Sequence, residues 1–228
     1  MATKYSPKII TNGLVLSLDA ANNKSYPRSG TTWTDLSGNN NTGTLTNGPT
    51  FNAGNMGSIL FDGTNDYTDF SDFSLGNQFT FCCWIKTSST SFSQLIARGN
   101  TGDTAGVYLA INLSTGLLAA GGNNGSGWNS NSISTITIND NRWHYVVGVY
   151  NQTSNNCTGY VDGILGSSIS LTFDSNSYTP KNTKIGKNQI GLSQYYNGNI
   201  ALSQIYNRAL SAAEILQNYN ATKSRFGL

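Results

Sequence analysis

His144 is the single histidine of this 228-residue chain and Glu214 its single glutamate, so acid–base or nucleophilic chemistry has few side chains to draw on. Cleaving a glycosidic bond needs two carboxyl groups placed across the scissile linkage. Glu214 has no carboxylate partner at a strand-like spacing, and it stands three residues after Ser211, where it completes a capping box instead. Asp62, Asp66, Asp69 and Asp72 lie close together, but among Gly, Asn, Ser and Thr they read as turn residues. A Ser-His-Asp or Cys-His mechanism would have to use His144. That residue sits beside Trp143 in an apolar run and reads as a hydrogen-bonded packing residue. A strand would point the neighbours Cys82 and Cys83 to opposite faces, leaving Cys157 as an odd third, so all three read as reduced thiols. The sequence holds no Gly-x-Ser-x-Gly elbow, Cys-x-x-Cys pair, His-Glu-x-x-His helix or phosphate-cradling Gly loop. Catalysis is not expected.

Binding is better served. The run 121–131, Gly-Gly-Asn-Asn-Gly-Ser-Gly-Trp-Asn-Ser-Asn, reads as the least constrained loop and carries one large ring. An exposed Trp128 could stack on a pyranose while the amides of Asn123, Asn124 and Asn129 bond its hydroxyls. The alternative is that Trp128 folds back as a lid over the edge of the fold. Tyr195-Tyr196-Asn197 offers a similar pairing. Lys181, Lys184 and Lys187 cluster, but a formal net charge of +2 is too small for a nucleic-acid face, and the three read as a solvated hairpin.

The elements that must position these residues are strands. Short apolar or alternating runs are punctuated by Gly and Asn clusters, the rhythm of an all-β protein. Leu14–Leu18 reads as an early strand; Phe79–Lys86 as another, with Phe79, Phe81, Cys83 and Ile85 on one face. Trp143–Tyr150 is apolar on both faces and should be central. Asp162-Gly163 between two β-favouring segments is the strongest hairpin signal. One helix is expected from Ala212 to about Tyr219, capped by Ser211 and Glu214, stapled by Leu210 and Ile215, and carrying Ile215 and Leu216 onto the sheet. Such a sheet must bury one side against another, so the expected fold is a two-sheet antiparallel sandwich. We divide the chain into an N-terminal arm or anchor, residues 1–12, and one domain, residues 13–228.

Charged residues make up only 11% of the chain, so uncharged polar groups must keep its surface wet. A surface short of long charged side chains loses less rotamer entropy on packing against a neighbour, which suits a building block. No run is long and apolar enough to span a bilayer, and Met1–Lys8 has no signal-peptide core, so we expect synthesis in a cytoplasm without export or membrane insertion.

Five segments in order, Trp33–Asn39, Phe61–Tyr67, Trp143–Tyr145, Tyr160–Gly163 and Ile205–Ser211, resemble the laminin-G-like branch of the concanavalin A-like lectin superfamily. The resemblance implies a jelly-roll arrangement of the two sheets, a hairpin closed by Phe61–Tyr67, and a packed Tyr196 that leaves Tyr195 as the freer ring. Some members hold a structural calcium ion. Relatives often place an Asp after the Gly-x-Ile before the last strand, whereas here Gly198-Asn199-Ile200 is followed by Ala201; Asp19, Asn65 and Asp66 remain as candidate ligands, and no cofactor is expected to be required. The segments 205–211 and 219–228, and the opening around Tyr5–Ile10, are similar to laminin-G-like proteins of tailed bacteriophages. That likeness implies a non-catalytic component on a virion surface: a capsid decoration or fibre-associated protein, assembled as a homo-oligomer, a trimer by preference, on capsid or tail proteins. The alternative it leaves is an adhesin holding host-surface glycans.

Overall fold

A computed structural model describes residues 7–99, 105–174, 182–188 and 194–228. Its strands, numbered in chain order, form two antiparallel sheets. The first runs β14 (Ile164–Ser170), β13 (Asn156–Val161), β12 (Trp143–Asn151), β7 (Gln78–Lys86), β16 (Asn197–Tyr206), β5 (Ser58–Asp62) and β4 (Thr50–Asn52), with β1 (Leu14–Asp19) also paired to β16. The second runs β11 (Trp128–Thr137), β10 (Leu117–Asn124), β9 (Ala105–Ile111), β8 (Ser93–Gly99), β15 (Asn182–Ile185), β6 (Tyr67–Phe70), β3 (Gly43–Thr46) and β2 (Thr32–Trp33). This is the expected jelly-roll sandwich.

Alternation along β7 shows how it closes. Phe79, Phe81, Cys83 and Ile85 point between the sheets, where Phe79 stacks on Tyr150 at 4.9 Å. Cys82 and Trp84 point outward into a second apolar layer. All three cysteines are free and buried, and burial pushes the Cys83 thiol up to about 12, far from a nucleophilic thiolate. Trp143–Asn151 is an interior strand, flanked by β7 and β13. Asp162 and Gly163, at φ 56° and 79°, make the tight turn between β13 and β14.

The outward layer of the first sheet is roofed by helix α1 (Ala212–Thr222) and a 3₁₀ turn, Lys223–Phe226. Ser211 Oγ accepts the Glu214 amide at 3.3 Å and the Glu214 carboxylate accepts the Ser211 amide at 2.9 Å, completing the capping box. The helix runs to Thr222, beyond the expected Tyr219, because its second half also packs: Tyr219 stacks on Trp84 at 5.7 Å. Leu216 departs from expectation. The buried positions are Ile215 and Asn218, on one face at helical spacing, so Leu216 is turned to solvent at 46% exposure.

The segment 61–67 also differs from the expected hairpin. Gly63 does adopt φ 76°, but β5 lies in the first sheet and β6 in the second, so the turn is an arch across the sandwich. Residues 1–6 of the N-terminal arm lie outside the described residues. Its remainder is docked: Gln217 donates to the Lys8 carbonyl at 2.8 Å, the Ile10 amide to Asn218 at 2.8 Å and Tyr206 Oη to the Ile10 carbonyl at 2.9 Å.

Candidate functional site

Alternation along β9 sends Val107, Leu109 and Ile111 into the core and leaves Tyr108 and Ala110 on the outer face of the second sheet. Tyr108 is in register with Gly121 of β10, which is in register with Ser130 of β11. A Cβ at Gly121 would fall 2.1 Å from Tyr108 Cζ, so the ring lies across β10 where only glycine leaves room. The Ser130 hydroxyl and the phenol share a hydrogen bond, and burial raises the phenol above its ordinary pKa. Trp128, half-buried, sits 5.3 Å from Tyr108 at 31°, and Phe92 meets Tyr108 edge-on at 5.7 Å. Ala97 and Ala110 complete an aromatic patch on a floor of small residues.

The run 121–131 is therefore not a loop. Residues 117–124 and 128–137 are strands, and only 125–127 turn between them. Asn123 is buried and its side-chain oxygen accepts the Gly125 and Gly127 amides at 2.9 and 3.1 Å, so it folds the turn. Asn124 is exposed and accepts the Ser126 amide at 3.3 Å. Asn129 is exposed but follows Trp128 along the strand, and alternation sends it to the opposite side. The structure thus gathers Trp128 with Tyr108, Phe92 and Ser130 and, of the asparagines, with Asn123, its cross-strand partner, but not with Asn129. Tyr108 was findable: in Ala-Gly-Val-Tyr-Leu-Ala-Ile the period of two puts it with Gly106 and Ala110, a face too small-sided to be core.

The same outer face continues to the other edge. A cross-strand row runs Tyr108, Ala97, Lys184, Asp69, Thr44. Lys184 lies on β15, not on a solvated hairpin, and its Nζ reaches Asp69 at 2.7 Å; Lys181 falls outside the described residues. Beside this pair a hollow of about 300 Å³ is lined by Thr42, Thr44, Thr46, Asp69, Phe70 and Ser71. Tyr195 is half-buried, with Lys187 Nζ 5.2 Å from its ring centre, whereas Tyr196 is fully buried.

His144 lies elsewhere, at a pocket of about 440 Å³ lined in part by Lys86, Arg142, Trp143 and Tyr219. Its Nδ1 is 2.8 Å from Asp162 and its Nε2 3.1 Å from Asp140. Burial alone would lower its pKa, but the two carboxylates outweigh that and raise it, which favours the imidazolium. With both nitrogens engaged, the ring is placed to clamp strand to turn rather than to take a proton from a nucleophile. Glu214 forms a bidentate pair with Arg208 at 2.6 and 2.9 Å, and this pairing holds its carboxyl down at about 2.

Of the metal candidates, Asp19 pairs with Arg225 at 2.7 Å and accepts the Ala21 amide. Asp66 accepts the Asp62 amide at 3.1 Å, and the carbonyl of exposed Asn65 accepts from Asn47. Asn65 and Asp66 share the Asp62 turn, whereas Asp19 belongs to a separate network. Among the described residues no three His, Cys, Asp or Glu side chains are grouped so as to hold a metal ion, and no helix is long and apolar enough to cross a membrane.

Two facing antiparallel sheets with an aromatic outer face define a lectin-like jelly roll. The chain belongs to the concanavalin A-like lectin/glucanases superfamily, whose laminin-G-type family model matches residues 62–216. No curated protein matches it in sequence. Domain 4 of AbnA, a GH43 extracellular arabinanase from Geobacillus stearothermophilus, solved with arabinotriose, superposes with a TM-score of 0.73 at 16% identity, over 90% of this chain and 98% of that one. The binding domain of Paraclostridial Mosquitocidal Protein 1 superposes at 0.68 and 21% identity, over 92% of this chain and 52% of that one. The binding domain of Botulinum Neurotoxin DC, solved with SialylT, superposes at 0.67 and 15% identity, over 93% and 52%. The chain spans about half the length of those two toxin fragments. At these identities the likeness is one of fold.

Proposed function

We propose that this protein is a non-catalytic carbohydrate-binding module that holds sugar on the outer face of its second sheet. The carrying observation is the Trp128–Tyr108–Phe92 patch, in which half-buried Trp128 and Phe92 flank the buried Tyr108 ring at 5.3 and 5.7 Å beside the Ser130 hydroxyl. An aromatic face stacks on the C–H side of a pyranose while hydroxyls bond its edge. The sugar ligands of two similar structures, arabinotriose and SialylT, lend support to the class of ligand. A non-catalytic role is supported by His144 and Glu214, each held by counter-charges. The test is a glycan array followed by calorimetry on Trp128→Ala and Asn124→Ala. Trp128→Ala should lose at least about tenfold in affinity, as removal of a stacking ring does, with the fold unchanged. If the unaltered protein retains no glycan, the reading fails.

A second reading, display on a phage particle, is favoured by the phage-like segments 205–211 and 219–228, which build the end of β16 and the roof over the first sheet. In that setting the protein is a homo-oligomer, preferentially a trimer, seated on capsid or tail proteins with the second sheet outward, and the two readings coexist. Size-exclusion chromatography with light scattering checks it: a stable trimer is expected, and a monomer at all concentrations would set it aside. Calcium at Asp19, Asn65 or Asp66 would add a thermal-shift response to the ion, abolished by a chelator.

A further inference from the structure

Building on the carbohydrate-binding reading, we infer that the outer face of the second sheet carries a further subsite, made by Lys187, Tyr67 and Tyr195, that takes the carboxylate of an acidic sugar. The Lys187 ammonium lies 4.5 Å from the Tyr67 ring centre and 5.2 Å from that of Tyr195. Cation–π contacts hold such a group in place without neutralising it. Lys184, also 5.0 Å from the Tyr67 ring, is matched by Asp69 at 2.7 Å, but among the described residues Lys187 forms no ion pair. Two carboxylates just before Tyr67 bond backbone amides: Asp66 accepts the Asp62 amide, and Asp62 accepts the Thr64 and Asn65 amides. With Lys184 matched by Asp69, the Lys187 ammonium is left without a paired carboxylate among the described residues, fixed between two rings and already ordered for an anion.

The neighbouring groups specify a sugar rather than a bare anion. Thr46 is in register with Tyr67, and Thr44 with Asp69, so hydroxyls and a carboxylate line the adjacent 300 Å³ hollow. Asp69 and the threonines can bond ring hydroxyls, the tyrosines pack on the C–H face, and the Lys187 ammonium donates to the sugar carboxylate in a charge-assisted hydrogen bond. Tyr67 and Asp69 lie on β6, three strands from Tyr108 on β9, about 14 Å at ordinary strand spacing. One short oligosaccharide laid across the strands could reach both places.

Calorimetry on the full chain with trigalacturonate and its methyl ester, and with 3′-sialyllactose and lactose, tests this and tells a uronate from a sialate. One acidic probe should bind about tenfold more tightly than its neutral counterpart at low salt, a margin that shrinks as salt is raised. Lys187→Gln should erase the margin and Lys187→Arg should keep it. Equal affinity for acidic and neutral probes, or a margin untouched by Lys187→Gln, overturns the subsite while leaving the carbohydrate-binding reading intact. No retention of any of the four, together with an empty glycan array, overturns both.

Discussion

His144 and Glu214 make opposite contributions to stability along the pH scale. The carboxylates of Asp162 and Asp140 raise the imidazole pKa in the folded state. Its stabilisation is therefore complete below the unfolded value near 6.5 and is lost as pH rises through the folded one. Glu214 is held down at about 2 by Arg208 and the Ser211 amide, so its contribution is present above roughly 4.3 and is lost as pH falls toward 2. Urea midpoints across pH 2–9 should show His144→Gln flattening the neutral-to-alkaline limb and Glu214→Gln the acid limb. At pH 7, Glu214→Gln should cost about 1 kcal/mol, because the neutral amide can keep the capping box but loses the charge pairing with Arg208. Glu214 was legible in the sequence because its cap lies three residues away. The hydrogen-bonded packing role of His144 was legible too, but its partners were not, because Asp162 is 18 residues distant and no local pattern announces a carboxylate on each nitrogen.

At the level of elements, the β10–β11 hairpin explains why the proposed ligand face was only half legible. Gly121 and Gly122 look like loop residues, yet each is a strand position where a neighbour approaches closely: Tyr108 over Gly121, and Phe173 behind Gly122, where an added Cβ would lie 2.6 Å from the Phe173 Cβ. Composition cannot tell a glycine that turns the chain from one that clears space for a ring. Gly121→Val should therefore displace Tyr108 and Trp128, cost about 1–3 kcal/mol as an overpacked site does, and weaken sugar binding along with the near-ultraviolet dichroism of the patch. If affinity survives a displaced patch, the sugar lies elsewhere. The Asp162-Gly163 turn, by contrast, was readable outright, since two consecutive positive-φ residues are what a two-residue hairpin needs. The arch at 61–67 was not, because a turn sequence reports the local bend and not which sheet receives the next strand.

Over the whole molecule, the sandwich and its terminal helix were legible, because alternation and capping are local and their signals agree. What covers the first sheet was not. Phe226 stacks on Trp84 at 4.1 Å and lies 4.7 Å from Trp143, while Arg225 pairs with Asp19 and donates to the carbonyls of Asn55 and Gly57. These partners are more than 80 residues apart in the chain. Phe226→Ala should cost about 3 kcal/mol and lower the melting temperature by roughly 6–12 °C, read by calorimetry. A change within error would mean that the tail is decoration rather than roof.

Ile10 and Phe226 both pack into that same roof, with the whole thickness of the sandwich between them and the rings of the second sheet. Any tether joined near either residue would pull on one side only, and the molecule would hang like a shield from its strap, turning the Trp128 and Lys187 side toward whatever approaches.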